Sequence, residues 1–131
     1  MSLEGSILKM VREFIVGTED NKEFDNELIP HINSSLSKLN QNGVGRFIVV
    51  SGEDSMWDDF KNPEQVKGNE YFQLVPMYVV LNTQLLFDPP PPSNVEYHSN
   101  NSKELLWRLK IAYEEDEIRQ NGNKRERNNY G

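Results

Sequence analysis

The sequence predicts a mainly α-helical fold, a small four-helix bundle-like domain built around one central buried helix. It adds one short strand or extended arm and a flexible C-terminal tail. Three observations predict this. The run Tyr71–Phe87 is apolar on nearly every face, as a helix enclosed by other elements must be. Two stretches before it, and one after it, space their apolar residues at three and four. After Ile118 the aliphatic residues cease.

The first stretch places Ile7, Leu8, Met10, Val11, Phe14 and Ile15 on one stripe, with Ser6 as N-cap and Gly17 as stop. The second runs through Phe24, Leu28, Ile32, Leu36 and Leu39 to Gly43. Pro30 lies inside it and removes a backbone hydrogen bond, which predicts a kink or a displaced start. Arg46-Phe47-Ile48-Val49-Val50, between Gly45 and Gly52, is the one strand candidate, and since no second strand is evident it can instead be an extended arm. Ser55–Phe60 reads as a single helical turn capped by Ser55, with Asp58 as the acid three positions on.

Asn62-Pro63-Glu64-Gln65 is the start signal of a long third helix through Phe87, bent at Pro76. Asp88 and the four prolines Pro89–Pro92 end that helix and act as a rigid spacer. Ser93–Asn100 reads as loop. Asn101 with Glu104 caps a fourth helix, whose face is Leu105, Leu106, Leu109, Ala112 and Tyr113, with Trp107 off the stripe. Gln120–Asn123 ends it. The chain thus divides into one helical domain, residues 1–118, and a polar, basic, disordered tail, residues 119–131.

Composition narrows function by exclusion. The 131 residues fit one domain, and a mean hydropathy of −0.72 with 36% hydrophobic residues implies a modest core. There is no cysteine, which excludes disulfides and thiolate metal sites. No signal peptide is evident, since Met1–Gly5 lacks a basic start and an apolar run. The apolar stretch falls short of the roughly 20 residues that cross a bilayer, so no membrane role is expected. A net charge of −7 argues against gripping nucleic acid over the whole surface. The tail runs the other way: Arg119, Lys124, Arg125 and Arg127 stand against the single acid Glu126.

No residue set is nominated for catalysis, for a cofactor or for a metal. Glu53, Asp54, Asp58 and Asp59 are dense carboxylates, but their spacing matches no calcium loop, and helix capping or a solvated face explains them. His31 and His98 fall in different elements without ligand-spaced neighbours. Gly43-Val44-Gly45 lacks a third glycine and precedes a strand, the wrong order for a phosphate loop. The candidate functional residues are therefore protein-interaction residues. Trp57 and Phe60, aromatic in an acidic loop, either fold back on the core or anchor a partner. Arg46, Phe47 and Ile48 form the unpaired arm. Arg119, Lys124, Arg125 and Arg127 can dock on an acidic surface or meet nucleic acid.

Several stretches taken together resemble a family. They are Phe24-Asp25-Asn26-Glu27-Leu28-Ile29, His31-Ile32-Asn33-Ser34, Leu39-Asn40-Gln41-Asn42-Gly43-Val44-Gly45 and Trp57-Asp58-Asp59-Phe60. Leu85-Leu86-Phe87-Asp88-Pro89-Pro90 and Lys103-Glu104-Leu105-Leu106-Trp107-Arg108-Leu109 follow in order, and these last two are the most specific. The sequence resembles the head-tail connector (adaptor, or head-completion) proteins of tailed double-stranded-DNA bacteriophages and prophages over roughly residues 6–113. Pro30, the Pro89–Pro92 run and the polar tail depart from the pattern.

The resemblance implies a non-catalytic adaptor that assembles as a ring of about twelve or thirteen copies beneath the portal. Such a ring extends the DNA channel and joins the head to a head-completion, stopper or tail protein, with DNA passing through unbound. It belongs in the virion neck, and in the host bacterial cytoplasm during assembly. Two other classes remain alternatives: a stand-alone helical regulator binding protein or DNA through Trp57 and the tail, and a Mg²⁺-dependent phosphodiester-cleaving enzyme using Asp54, Asp58 and Asp59.

Overall fold

The computed structural model describes residues 5–129, with side chains described as far as Ile118. Within them five α-helices and one 3₁₀ turn make up the fold: α1 (Ile7–Ile15), α2 (Asp25–Gln41), α3 (Trp57–Phe60), the 3₁₀ turn (Gly68–Tyr71), α4 (Leu74–Phe87) and α5 (Pro92–Asn129). The helix α4 is the hub. It packs against α1, α2 and α5, and Val75, Pro76, Tyr78, Val79 and Thr83 are its buried residues. No strand forms among the described residues, and the only β pairing is a single antiparallel bridge between Ser6 and Met56.

The first two helices follow the expected rules. Ser6 adopts an extended backbone and its hydroxyl accepts from the Lys9 amide, satisfying one of the donors a helix start leaves orphaned. Gly17, at φ 99°, takes the left-handed conformation that ends α1, its amide donating to the Arg12 carbonyl. In α2, Leu28, Ile32, Leu36 and Leu39 are buried, and Asp25 and Glu27 place negative charge on the positive end of the helix dipole. The helix runs through Pro30 and ends in a Schellman motif, with Val44 N–H on Leu39 C=O and Gly43 N–H on Asn40 C=O.

The middle of the chain departs from expectation. Asn62 opens no helix: its side-chain oxygen accepts from Glu64 N–H in a local turn, and its carbonyl accepts from the Asn69 side chain. The short 3₁₀ turn intervenes, and α4 starts only at Leu74. Proline explains the delay. In a helix begun at Asn62, Pro76 would lie deep inside and cost about 3 kcal/mol. In α4 it falls in the first turn, where its missing N–H would have found no partner.

The opposite error holds for α5. It starts at Pro92, nine residues before the expected Asn101 cap, because proline is well tolerated at a first helical position and Ser93–Asn100 contains no breaker. Its backbone continues to Asn129, beyond the stop expected at Gln120–Asn123.

A clasp closes the long connection between α3 and α4 onto α5. The buried Asp116 carboxylate accepts from the backbone amides of Lys67 and Gly68, and the Tyr113 hydroxyl, one turn earlier, meets the Asn69 side chain. Burial first, and the Asp116 charge second, push the Tyr113 hydroxyl above the ordinary tyrosine range. A Cβ on Gly68 would lie 2.3 Å from the Tyr113 ring. Gly68→Ala is therefore expected to destabilise the fold by about 1–3 kcal/mol, read as a lower urea midpoint at unchanged slope. An unchanged midpoint would show that the ring moves aside freely.

Candidate functional site

The acidic loop before the clasp is stapled to the start of α1. Ile7 N–H donates to Ser55 C=O and Trp57 N–H to Gly5 C=O, which creates the isolated bridge. Met56 is the N-cap of α3, and Asp59 reaches back to accept from its amide at 2.8 Å. The reciprocal acid is thus Asp59 rather than Asp58, one residue beyond the expected register. This geometry turns Trp57 and Phe60 inward, where both are fully buried. Of the two fates open to these aromatics, the structure shows the core. The Phe60 ring lies against Gly45, which at φ 74° has no room for a Cβ: one would sit 2.4 Å from the ring.

The arm Arg46–Val50 forms no helix and pairs with no strand among the described residues. Its two ends are anchored. Arg46 N–H donates to Phe60 C=O at 2.7 Å, and the Asn33 side-chain amide grips Val50 from both sides, accepting from its N–H at 2.7 Å and donating to its C=O at 2.9 Å. A side-chain amide carries the donor and acceptor of a peptide group, so Asn33 stands in for one residue of a neighbouring strand. Val50 is buried and Ile48 packs on the core, whereas Phe47 and Val49 are 72% and 62% exposed.

A second apolar surface lies on the far side of α5. Trp107 is 61% exposed, and with Ile111, Tyr71 and Leu74 it lines a groove of about 400 Å³. Its sequence signal was the position of Trp107 off the helix's apolar stripe. Met77 and Leu86 also stay exposed, so α4, although central, keeps apolar surface outside the core.

Besides Asp116 of the clasp, the buried charged residue that sequence reasoning missed is Arg12. It is buried, and its guanidinium forks onto both oxygens of Asp25, donates to Glu53 and reaches the Glu19 carbonyl at 3.0 Å. A signal was present: Arg12 lies four residues after Leu8, within the apolar arc of α1. The Arg12 hydrogen bond holds the Glu53 carboxyl below its ordinary value of 4.5. A depressed carboxylate stabilises the fold fully above the unfolded-state value, and that contribution disappears as pH falls through the folded-state one. Below about pH 4.5 the urea midpoint should therefore drop less steeply for Glu53→Gln than for the parent chain. Parallel acid profiles would remove Glu53 from the linkage.

The remaining candidates stay apart. Glu53 is engaged by Arg12 and Asp59 by the Met56 amide, and among the described residues no three His, Asp or Glu side chains converge as a metal site. His31 is on α2 and His98 on α5, where its ring meets Tyr97 edge-on. The side chains of Arg119, Lys124, Arg125 and Arg127 lie outside the described residues. No helix among the described residues is long and apolar enough to cross a membrane.

Comparison with known proteins gives one family. The family model described as phage connector protein matches residues 7–116, from the first residue of α1 to the Asp116 clasp. No curated protein and no solved structure matches the chain.

Proposed function

The chain belongs to the phage connector protein family, and on that premise we propose that it is the adaptor that assembles as a ring under the portal, extends the DNA channel and receives the next head-completion or tail protein. The family match over residues 7–116 carries this reading. It makes the protein a structural component of the virion neck that meets other head and tail proteins, in a family generally without catalysis.

Two physical features support the ring. The chain exposes an anchored apolar arm on one side and an apolar groove on another, and unlike surfaces of this kind support the head-to-tail contact from which rings are built. A strongly acidic body repels phosphate, which suits a channel through which DNA slides without sticking. The basic tail, residues 119–131, is proposed as a separate docking arm for an acidic neighbour.

Electron microscopy of the concentrated protein, alone and mixed with portal rings, tests the reading. Annular particles with a central hole are the expected result, together with no retention of duplex DNA at roughly physiological salt. Single subunits under both conditions would overturn it.

A further inference from the structure

We propose that Phe47 and Val49 of one copy seat in the α5 groove of the next, on Tyr71, Leu74, Trp107 and Ile111; the contact rests on the ring reading above. The arm is built as a preformed ligand. Between its anchors at Phe60 and Asn33, the backbone groups of Phe47, Ile48 and Val49 have no hydrogen-bond partner among the described residues. Phe47 and Val49 are both apolar and both exposed, on either side of the core-packed Ile48. Rigid presentation of this kind lowers the entropy lost on binding.

The groove offers what the arm lacks. An exposed tryptophan and tyrosine beside aliphatic residues is the composition found at the centre of protein interfaces. The rim complements Arg46, the arm's only charge. It carries Glu70 and Glu115 against Lys67, while Arg108 is tied to Glu104, so one acid is left for an incoming cation.

One copy cannot fill its own groove. Lys110, Glu114 and Glu117, on one flank of α5, face the end of α2 from which the arm departs; Trp107, Ile111 and Glu115 lie on the other flank. The contact is therefore head-to-tail and leaves an arm and a groove free on every chain that joins. Edge-to-edge pairing of two arms would bury the free backbone groups as well, but it stops at a dimer and leaves the groove empty.

The absence of cysteine makes the test clean. Phe47→Cys and Ile111→Cys, both at exposed positions, are prepared singly and together and oxidised under conditions that give rings. A disulfide between the two single variants when mixed, and a ladder of covalent oligomers from the double variant, are the expected results. Phe47→Asp should raise the concentration for half-assembly about tenfold or more. Disulfides formed only by Phe47→Cys with itself would overturn the proposal in favour of paired arms. Rings that give neither cross-link would overturn this contact and leave the ring standing. Absence of rings even with the portal would remove both.

Discussion

Truncating Trp57 to alanine is expected to cost about 3–5 kcal/mol, a large share of the roughly 5–15 kcal/mol that holds a domain of this kind together. The side chain is wholly enclosed, and it sits where the acidic loop, the start of α1 and the core meet. Little of the cavity can collapse, since Phe60 beside it is held against Gly45. Trp57→Phe makes the informative contrast. The indole N–H is buried and finds no acceptor among the described residues, so phenylalanine removes an unpaired donor while keeping most of the apolar volume. Its cost should stay below about 1.5 kcal/mol. Urea midpoints measure both, and in Trp57→Phe the remaining fluorescence reports the exposed Trp107. Were Trp57→Ala to fold with its midpoint unchanged and lose only partner binding, Trp57 would be an anchor rather than core.

The second large effect is at Arg12. Arg12→Ala strands Asp25 and Glu53 and empties a buried site, and about 3 kcal/mol is expected, at the low end for a broken buried pair because both carboxylates keep some contact with water. Lysine in its place should recover only part of the loss. Its point charge cannot hold both Asp25 oxygens and the Glu53 carboxylate at once as a planar fork does. Replacing the whole set with Arg12→Met, Asp25→Asn and Glu53→Gln removes the stranded charges, and it should be more stable than Arg12→Ala alone. Equilibrium unfolding of the four proteins at neutral pH decides the matter. A loss under about 1 kcal/mol for Arg12→Ala would place these pairs with ordinary surface ion pairs.

Much of the domain was legible residue by residue. The Ser6 cap, the Gly17 and Gly43 stops, the faces of α1 and α2 and the central apolar helix all follow from spacing and local chemistry, which act over one or two turns. The order of the Leu85–Pro90 and Lys103–Leu109 stretches likewise pointed to the connector family. The misplaced helix starts share one feature. Asn62-Pro63 and Asn101 both look like caps, and the observed starts instead place a proline in the first turn of each helix: Pro76 in α4, where its missing N–H breaks no bond, and Pro92 at the head of α5.

The candidate surfaces divide along the same line. Sequence alone determined that the fold is mainly helical around the apolar stretch ending at Phe87, that the chain is acidic with a basic tail, that it has no cysteine, and that an arm at Arg46–Val50 lacks a strand to pair with. Only the tertiary structure decided that Trp57 and Phe60 turn inward, that Asn33 fixes the arm from seventeen residues away, and that Arg12 joins Asp25 to Glu53. It likewise decided that Trp107 and Tyr71 share a groove. The physical reason is distance along the chain. Periodicity and capping describe how a residue meets its near neighbours, whereas burial of an aromatic or pairing of a charge depends on which remote segment packs beside it.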